Sequence, residues 1–289
     1  MAARKQIDTR SDKDQARLPQ AALRSSVATA VLWLACALHA HAWDDVDGPA
    51  AGAPEAIGSY AAGCIAGAER LPADGPGYQA VRLERNRHYG HPELVEFIAA
   101  LAAQADASGL GLLPIGDLSQ PRGGPMPSGH ASHQVGLDVD IFYRLDLPRL
   151  PEAERGEDLE LPSLVDYERR ALNERFGEHQ VELLRLAASD PDVARIFVSP
   201  LIKQAMCKRT WPDRSFLRKL RPWYGHDDHL HVRLDCPPES PDCVPQPAPP
   251  AGDGCGAELD SWLDTGLIPT PSSSRRRAPV LPMRCDALR

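Results

Sequence analysis

The sequence predicts an α+β fold with a small antiparallel β-sheet core, flanking helices and long disulfide-stapled loops. Residues 137–143 and 229–234 each alternate apolar and polar side chains, which is the period of a half-buried strand. After Pro92, apolar side chains recur at helical spacing. Six cysteines follow residue 42, and four of them lie in a proline-rich C-terminal stretch. Disulfide bonds are therefore expected to hold the loops in place.

The first 42 residues have the features of an export signal. Arg17 and Arg24 precede an apolar run over residues 27–38. The tripeptide 40–42, Ala-His-Ala, then offers a cleavage site of small residues. The run is too short to cross a bilayer as a helix. We therefore predict a signal peptide over residues 1–42 and a periplasmic protein without a transmembrane segment, with a retained anchor as the alternative.

The mature chain, residues 43–289, is long enough to bury a sizeable core and is expected to form a single domain. Its 26 basic and 37 acidic residues give a formal charge of −11, which argues against nucleic acid as a partner. The even number of cysteines implies disulfides in an exported chain. The sequence contains no C-x-x-C pair, so a zinc knuckle built from cysteines is not indicated. The oligomeric state and the cysteine pairing stay open at this level.

The first half of the mature chain predicts one helix and one buried strand. Residues 43–80 are rich in Ala, Gly and Pro and are expected to wrap the surface. The helix begins at Pro92, where proline is tolerated in the first turn, and ends before Ser108. Residues 111–115 predict a buried strand, and a glycine- and proline-rich loop over residues 120–129 follows it.

The second half of the mature chain predicts two helices and a strand, which follow an irregular acidic stretch. The acidic residues 152–178 lack a clear period and are expected to leave the core. A helix is predicted around residues 181–187, a strand over 192–198 and a short helix over 200–207. The proline-rich segment of about residues 237–289 is expected to be tied back onto the domain by its cysteines.

Two short segments, residues 128–140 and 226–233, hold five of the ten histidines. Neutral imidazole and carboxylate are ligands that suit zinc, and a catalytic site uses three of them and keeps one position for water. His133 enters the first predicted strand, and Asp140 lies on the polar face of that strand. His231 lies on the polar face of the second strand. If the two strands are antiparallel neighbours, these three side chains meet and form a zinc site on the sheet.

His229 lies on the same face as His231, one strand repeat away, at roughly 6.5–7 Å along the chain. This separation suits a base beside the metal better than a second ligand on the same ion. A water bound to zinc has a pKa of about 7, and a neighbouring imidazole can take its proton as it attacks a carbonyl.

The spacing of these residues, H-x6-D followed by H-x-H, resembles the metallopeptidase clan of the lysostaphin-type endopeptidases and the D-Ala-D-Ala carboxypeptidases. The longer strings 129–141 and 229–234 are similar to those of the penicillin-insensitive murein endopeptidases. Residues 195–198, 222–223 and 252–259 resemble the same family. The resemblance extends from Cys64 to Cys285.

The resemblance implies a set of roles for the site residues. Zinc is bound by His133, Asp140 and His231, and His229 is the catalytic histidine. His130, as a residue of a second metal site, and His226, as a catalytic partner, are further site residues. That second site also needs an Asp-x-x-His element, and here Arg169 stands where the histidine belongs. One zinc ion is therefore expected.

The resemblance also implies the disulfide pairs and the substrate. The pairs are Cys64–Cys285, Cys207–Cys255 and Cys236–Cys243. The substrate is peptidoglycan, cut at D-alanyl–meso-diaminopimelyl cross-links through a metal-activated water. Such an enzyme resists penicillin because no serine is available for a β-lactam to acylate.

Two other functions remain open. One is a D,D-carboxypeptidase of the same clan, and the other is a catalytically idle, metal-stabilised wall-binding protein. The presence of His229 favours an enzyme, because a structural metal site needs no base. Arg122 and Arg233 are candidates to hold substrate carboxylates through bidentate pairs. Ser128 lacks the G-x-S-x-G context of a serine nucleophile.

Overall fold

The computed structural model describes Trp43, residues 46–265 and residues 280–289. The predicted signal peptide, residues 1–42, lies outside the described residues. The strands are β1 Glu55–Ser59, β2 Ala62–Ala66, β3 Glu69–Arg70, β4 Asp74–Gly75, β5 Tyr78–Ala80, β6 Tyr89–Gly90, β7 Leu113–Ile115, β8 Asp138–Phe142, β9 Val165–Asp166, β10 Ala171–Leu172, β11 Val193–Val198, β12 Leu220–Pro222 and β13 His229–Leu234. The helices are α1 Pro92–Ala107, α2 Glu178–Ser189, α3 Pro200–Lys208, α4 Ala257–Asp264 and α5 Met283–Asp286.

The α+β class is confirmed, and a seven-stranded sheet forms the centre, in the order β12-β11-β13-β8-β7-β5-β4. Its middle strands β11, β13, β8 and β7 pair antiparallel, and the flanking pairs β11–β12 and β5–β7 are parallel. The expected pairing of the two histidine-bearing strands is confirmed, because β8 and β13 are antiparallel neighbours. The register sets His231 opposite Asp140 and Arg233 opposite Asp138. Opposed side chains of such a pair have Cβ atoms about 5 Å apart.

One face of the two central strands belongs to the hydrophobic core. The apolar side chains that alternate along β8 and β13 share this core with the buried faces of α1 and α2. Four of them are fully buried, namely Val139, Ile141, Leu230 and Val232. The helix α1 begins at Pro92 and ends before Ser108, as the sequence predicts. The core thus fixes the two strands and directs their polar side chains to the opposite face.

The polar face of β8 is also buried, which corrects the prediction of a half-buried strand. Asp138 is 0% exposed and Asp140 is 3% exposed. The alternating pattern identifies the strand, but it cannot show that histidines and an arginine cover its carboxylates. His133 is itself fully buried next to them. The carboxylates of β8 therefore lie beneath a layer of polar side chains and not at the protein surface.

The expectation that residues 43–80 wrap the surface is wrong. This stretch forms the hairpin β1–β2 and contributes β5 to the main sheet. Ile57 and Cys64 are buried in the hairpin. A Cβ atom at Gly63 would overlap the carbonyl of Ile57 and the side chain of Val135. The small residues that suggested a loop are thus the ones that let the hairpin pack closely.

Three disulfides tie the C-terminal segment to the domain. They join Cys64 to Cys285, Cys207 to Cys255, and Cys236 to Cys243, which are the pairs that the resemblance implies. The segment also contains the helix α4, which its proline-rich composition does not predict. None of the helices in the described residues has the length and apolar character needed to span a membrane.

We expect the three disulfides to stabilise the fold unequally. The Cys64–Cys285 bond closes 221 residues, and the Cys236–Cys243 bond closes 7 residues. Chain entropy then predicts that replacing the first pair by alanine lowers the free energy of unfolding by about 3 kcal/mol more than replacing the second. Urea denaturation of the two double variants measures this difference. Equal losses would contradict the prediction.

Candidate metal centre

The site is assembled from β8, β13 and the loop that enters β8. His133 in this loop has a backbone φ of 66°, which is left-handed and unfavourable for a side chain other than glycine. Its backbone N–H donates a hydrogen bond to the carboxylate of Asp138, at 3.0 Å. This contact holds the strained residue in place, and such strain is often found at functional sites. The loop therefore fixes His133 beside Asp140 before any ligand binds.

Four imidazole rings surround the carboxylate of Asp140. Three rings approach the Oδ1 atom, with His133 Nε2 at 3.4 Å, His229 Nε2 at 3.5 Å and His231 Nδ1 at 3.6 Å. The fourth ring approaches the Oδ2 atom, with His130 Nε2 at 3.5 Å. Two ligands of a tetrahedral zinc ion, each about 2.1 Å from it, lie about 3.4 Å apart. The separations around Asp140 therefore fit a metal ion bound between these side chains.

Two of these rings have one nitrogen fixed and the other free to bind a metal. The Nδ1 atom of His133 lies 2.7 Å from the carbonyl oxygen of Leu118, to which it donates. The Nε2 atom of His231 lies 3.0 Å from Oδ1 of Asp138. The remaining nitrogens, Nε2 of His133 and Nδ1 of His231, face Asp140. Such partners select the tautomer and orient the ring of a ligating histidine.

The other two histidines of the second motif are oriented in the same way. The Nδ1 atom of His229 is 2.6 Å from Oδ1 of Asp228, and Nδ1 of His226 is 2.9 Å from the carbonyl oxygen of Tyr224. The rings of His226 and His229 are 5.1 Å apart. The role of Asp228 was not predicted from the sequence. Its position directly before His229 is the signal that could have found it.

The charges of the buried groups favour a cation at Asp140. Burial raises the pKa of the Asp140 carboxyl, but the rings of His229 and His133 outweigh burial and hold that pKa well below its usual value. Burial lowers the pKa of the His231 imidazole to about 4, so this ring is neutral at pH 7 and keeps a lone pair. Burial also lowers the pKa of His229, but Asp140 and Asp228 outweigh it and raise that pKa to about 9. Without a metal ion, the protonated ring of His229 compensates the charge of Asp140, and a divalent ion is an alternative counter-charge at the same carboxylate.

Two buried atoms that could bind a metal also lack a hydrogen-bond partner. Within the described part of the chain, Nε2 of His133 and Oδ1 of Asp140 make no hydrogen bond. Buried polar atoms are almost always satisfied, so atoms without a partner need an explanation such as an ion. The same two residues form, with His130, a group whose ligand atoms all lie within 4.8 Å of one another. This group can hold a metal ion.

Asp117 is a further site residue that the sequence pattern did not reveal. It is 3% exposed, and its Oδ2 atom lies 3.0 Å from Nε2 of His130 and 3.0 Å from the guanidinium of Arg87. Its carbonyl oxygen accepts a hydrogen bond from the N–H of Asp140 at 3.0 Å. A carboxylate two residues beyond the buried strand β7 is the available signal. Asp117 thus holds His130 at the edge of the site.

The arginines expected to bind substrate carboxylates have other partners. Arg233 donates to Asp138 through Nε at 2.7 Å and to Gln246 at 2.6 Å. Arg122 donates to the carbonyl oxygens of Gly48 and Leu288. Both guanidiniums are therefore used within the protein.

The aspartate of the Asp-x-x-His element that a second metal site would need already has an ion-pair partner. Asp166 pairs with Arg169, at 3.5 Å between Oδ2 and NH1. This arginine stands where a histidine ligand would be needed, so the structure gives the Asp166 carboxylate a cationic partner of its own. The expectation of one ion stays a prediction.

The imidazoles open into a surface groove of about 460 Å³. Its walls include His130, Phe197, Trp223, His226 and His229. A larger cavity of about 740 Å³ lies beside Tyr143. We assign the functional site to the smaller groove, because the converging imidazoles lie there.

The chain is similar to a family of known proteins. Residues 56–289 match the family model described as penicillin-insensitive murein endopeptidase. Proteins with that name from Salmonella paratyphi B, Salmonella heidelberg and Salmonella typhi are each 46% identical to this chain over 253 residues. The aligned region covers 87% of this chain and 92% of each of those proteins.

We expect Asp138→Asn to destabilise the protein strongly. The substitution leaves the buried guanidinium of Arg233 without its carboxylate, and an uncompensated buried charge costs about 3–5 kcal/mol. Asp146→Asn is the matched control, because Asp146 is highly exposed beside Arg144 and its loss should change stability by at most about 0.5 kcal/mol. Chemical denaturation of both variants tests this, and similar small losses for both would show that the Asp138 pair is not structural.

Proposed function

This chain belongs to the penicillin-insensitive murein endopeptidase family, and from that membership we propose that it hydrolyses D-alanyl–meso-diaminopimelyl cross-links with one bound zinc ion. The observation that carries the proposal is the convergence of imidazole nitrogens on Oδ1 of Asp140, two of which belong to His229 and His231 in the wall of an open groove. A cross-linked peptide is long and branched, so it requires a groove that is open to solvent.

We assign zinc to Nε2 of His133, Nδ1 of His231 and the carboxylate of Asp140. These two nitrogens approach the same oxygen of Asp140, and each ring has its other nitrogen fixed by an oxygen partner. His130 approaches the other oxygen of Asp140 and is held by Asp117, so we place it beside the ion as a supporting residue. When bound, zinc supplies polarisation of the scissile carbonyl and a lowered pKa for the attacking water.

His229 is the residue that moves the proton in this proposal. Its Nε2 atom faces the centre, and Asp228 holds its Nδ1 atom. A cation at Asp140 would replace the proton on His229 as the counter-charge and lower the pKa of this ring from about 9, so that Nε2 could accept a proton from the water that attacks the peptide carbonyl. The same imidazole can then give the proton to the leaving amine. The Asp228 carboxylate stabilises the protonated ring between these two events. A wall-binding protein without activity would have no use for this pair.

His226 supports the same reaction from the side. Its Nδ1 donates to the carbonyl of Tyr224, and burial holds its pKa well below the usual value, so the ring stays neutral. The free Nε2 is then an acceptor, which we assign to orient the attacking water or a substrate N–H group. Ser128, the serine next to the first motif, interacts with Arg87 at 3.2 Å. This arrangement agrees with a mechanism without a serine nucleophile and hence with resistance to penicillin.

The disulfides and the murein substrate of the family indicate that the protein works outside the cytoplasm. We propose the periplasm as its location, with residues 1–42 as the signal peptide and residues 43–289 as a single metallopeptidase domain. Murein lies there, and an oxidising compartment preserves the disulfides.

Digestion of purified murein tests the bond that is cut. We expect chromatography to show cross-linked muropeptide dimers that convert to monomers, and a chelator should abolish the conversion because it removes the ion. Zinc added after the chelator should restore activity. Loss of terminal D-alanine with unchanged dimers would instead identify a D,D-carboxypeptidase and overturn the proposed specificity.

Replacement of the proposed base tests the division of roles. His229→Ala should lower kcat by about 10²- to 10⁴-fold while the protein still binds one zinc per chain. His179→Ala, which removes an exposed histidine outside both motifs and outside the groove, is the control and should change neither quantity. Metal analysis and turnover of the same preparations provide both measurements. If His229→Ala loses its zinc, His229 is a ligand and the assignment is wrong.

A further inference from the structure

A row of aromatic rings runs from the metal centre to the surface. The ring centroids of His231 and Phe197 are 5.1 Å apart, and those of Phe197 and Trp223 are 5.7 Å apart. Trp262 then lies 5.5 Å from Trp223 and 4.9 Å from Tyr224. We call Trp223, Tyr224 and Trp262 the aromatic ridge. It is continuous with the groove, because Trp223 and Tyr224 line both.

The ridge presents an exposed apolar surface at the edge of the groove. Trp223 is 50% exposed. Five large apolar side chains are exposed in the described residues, and Trp223 is the one among them that lines the groove. Exposed aromatic surface of this size is unfavourable in water and commonly marks a binding site. The ridge therefore needs a ligand with an apolar face.

The C-terminal segment holds Trp262 in position on the ridge. The helix α4 carries Trp262, and its Leu259 is 2% exposed in the core. Just before this helix, Cys255 is bonded to Cys207 of α3. The N–H of Trp223 donates to the carbonyl of Val198 at 2.8 Å, which fixes the other side of the ridge. A preorganised aromatic surface binds with less loss of side-chain entropy.

We infer that the aromatic ridge binds pyranose rings of the glycan strand in murein. One face of a pyranose consists of C–H groups, which stack on an aromatic ring, and its hydroxyls need polar partners at the edge. Tyr224 and Thr265, whose hydroxyls are 3.2 Å apart, supply such partners. This inference rests on the proposed function, since it assumes the same substrate, and it adds a subsite for the sugar.

The charges near the ridge favour sugar over stem peptide as the occupant. The exposed residues Asp260 and Asp264 of α4 repel the carboxylates of a stem peptide. An N-acetylated sugar is neutral and is not repelled. Because the peptide cross-links of murein are attached to its sugars, a glycan strand on the ridge would bring a cross-link to the groove beside it. The proline-rich segment thus has a role in substrate binding in addition to stability.

Saturation-transfer NMR with a neutral oligosaccharide of N-acetylglucosamine and the full mature protein tests the inference. We expect transfer to the C–H protons of the sugar, and Trp262→Ala and Trp223→Ala should each weaken binding by about tenfold. Trp262→Phe should restore part of the affinity, because it keeps a ring. Met283→Ala, which removes an exposed apolar side chain outside the ridge, should leave binding unchanged. Thermal unfolding shows whether each variant is folded.

Several results would overturn the inference. The inference fails if the folded protein does not bind the oligosaccharide, or if the ridge variants bind it as well as the unmodified protein does. It also fails if the ridge variants lose affinity for sugar-free stem peptides, because the ridge would then bind peptide. A dimer that dissociates in the ridge variants would show that a second copy of the chain covers the ridge. The proposed function is tested separately with a sugar-free cross-linked peptide. Ridge variants should lower the ratio of kcat/KM for intact murein to that for this peptide by about tenfold. If the protein binds glycan but cuts neither substrate, the proposed function fails and the inference stands.

Discussion

Two carboxylates buried on one strand determine the rest of the site. Asp138 and Asp140 lie on the same face of β8, and a charge at such depth costs several kcal/mol unless it is compensated. Arg233, the ring of His231 and the N–H of His133 satisfy Asp138. Within 4 Å of Asp140, by contrast, the described residues contribute imidazoles as the basic groups. The first carboxylate thus stabilises the framework, and the second one, with the imidazoles around it, can hold a metal ion.

The antiparallel register explains how so much of this site is visible in the sequence. Period-two alternation places Asp138 and Asp140 on one face of β8, and His229, His231 and Arg233 on one face of β13. Pairing of the two strands then brings the motifs together. Asp117 was missed because its contact with His130 joins two separate loops. Asp228 was missed because loop conformation decides whether its side chain turns to the neighbouring His229 or to solvent. The hairpin β1–β2 and the helix α4 were missed for a related reason, since small residues and prolines hide short elements that tertiary contacts stabilise.

The C-terminal segment shows how a proline-rich stretch can form part of the domain. Disulfides attach it at Cys255 and Cys285, and the carbonyl of Pro247 accepts a hydrogen bond from Arg195. Its Gln246 contacts Arg233, so the segment also covers the buried ion pair behind the metal centre. The same segment supplies Trp262 to the aromatic ridge. Stability, the environment of the centre and the proposed sugar subsite therefore depend on one stretch of chain.

The claim that Asp140 and the imidazoles hold one zinc ion is tested most directly by zinc X-ray absorption spectroscopy of the metal-loaded protein. The account predicts one zinc per chain, a first shell of nitrogen and oxygen at about 2.0–2.2 Å without sulfur, and scattering from two imidazole rings. Asp140→Asn should lose this signal while the protein remains folded. Sulfur in the first shell, or an unchanged spectrum in Asp140→Asn, would contradict the account.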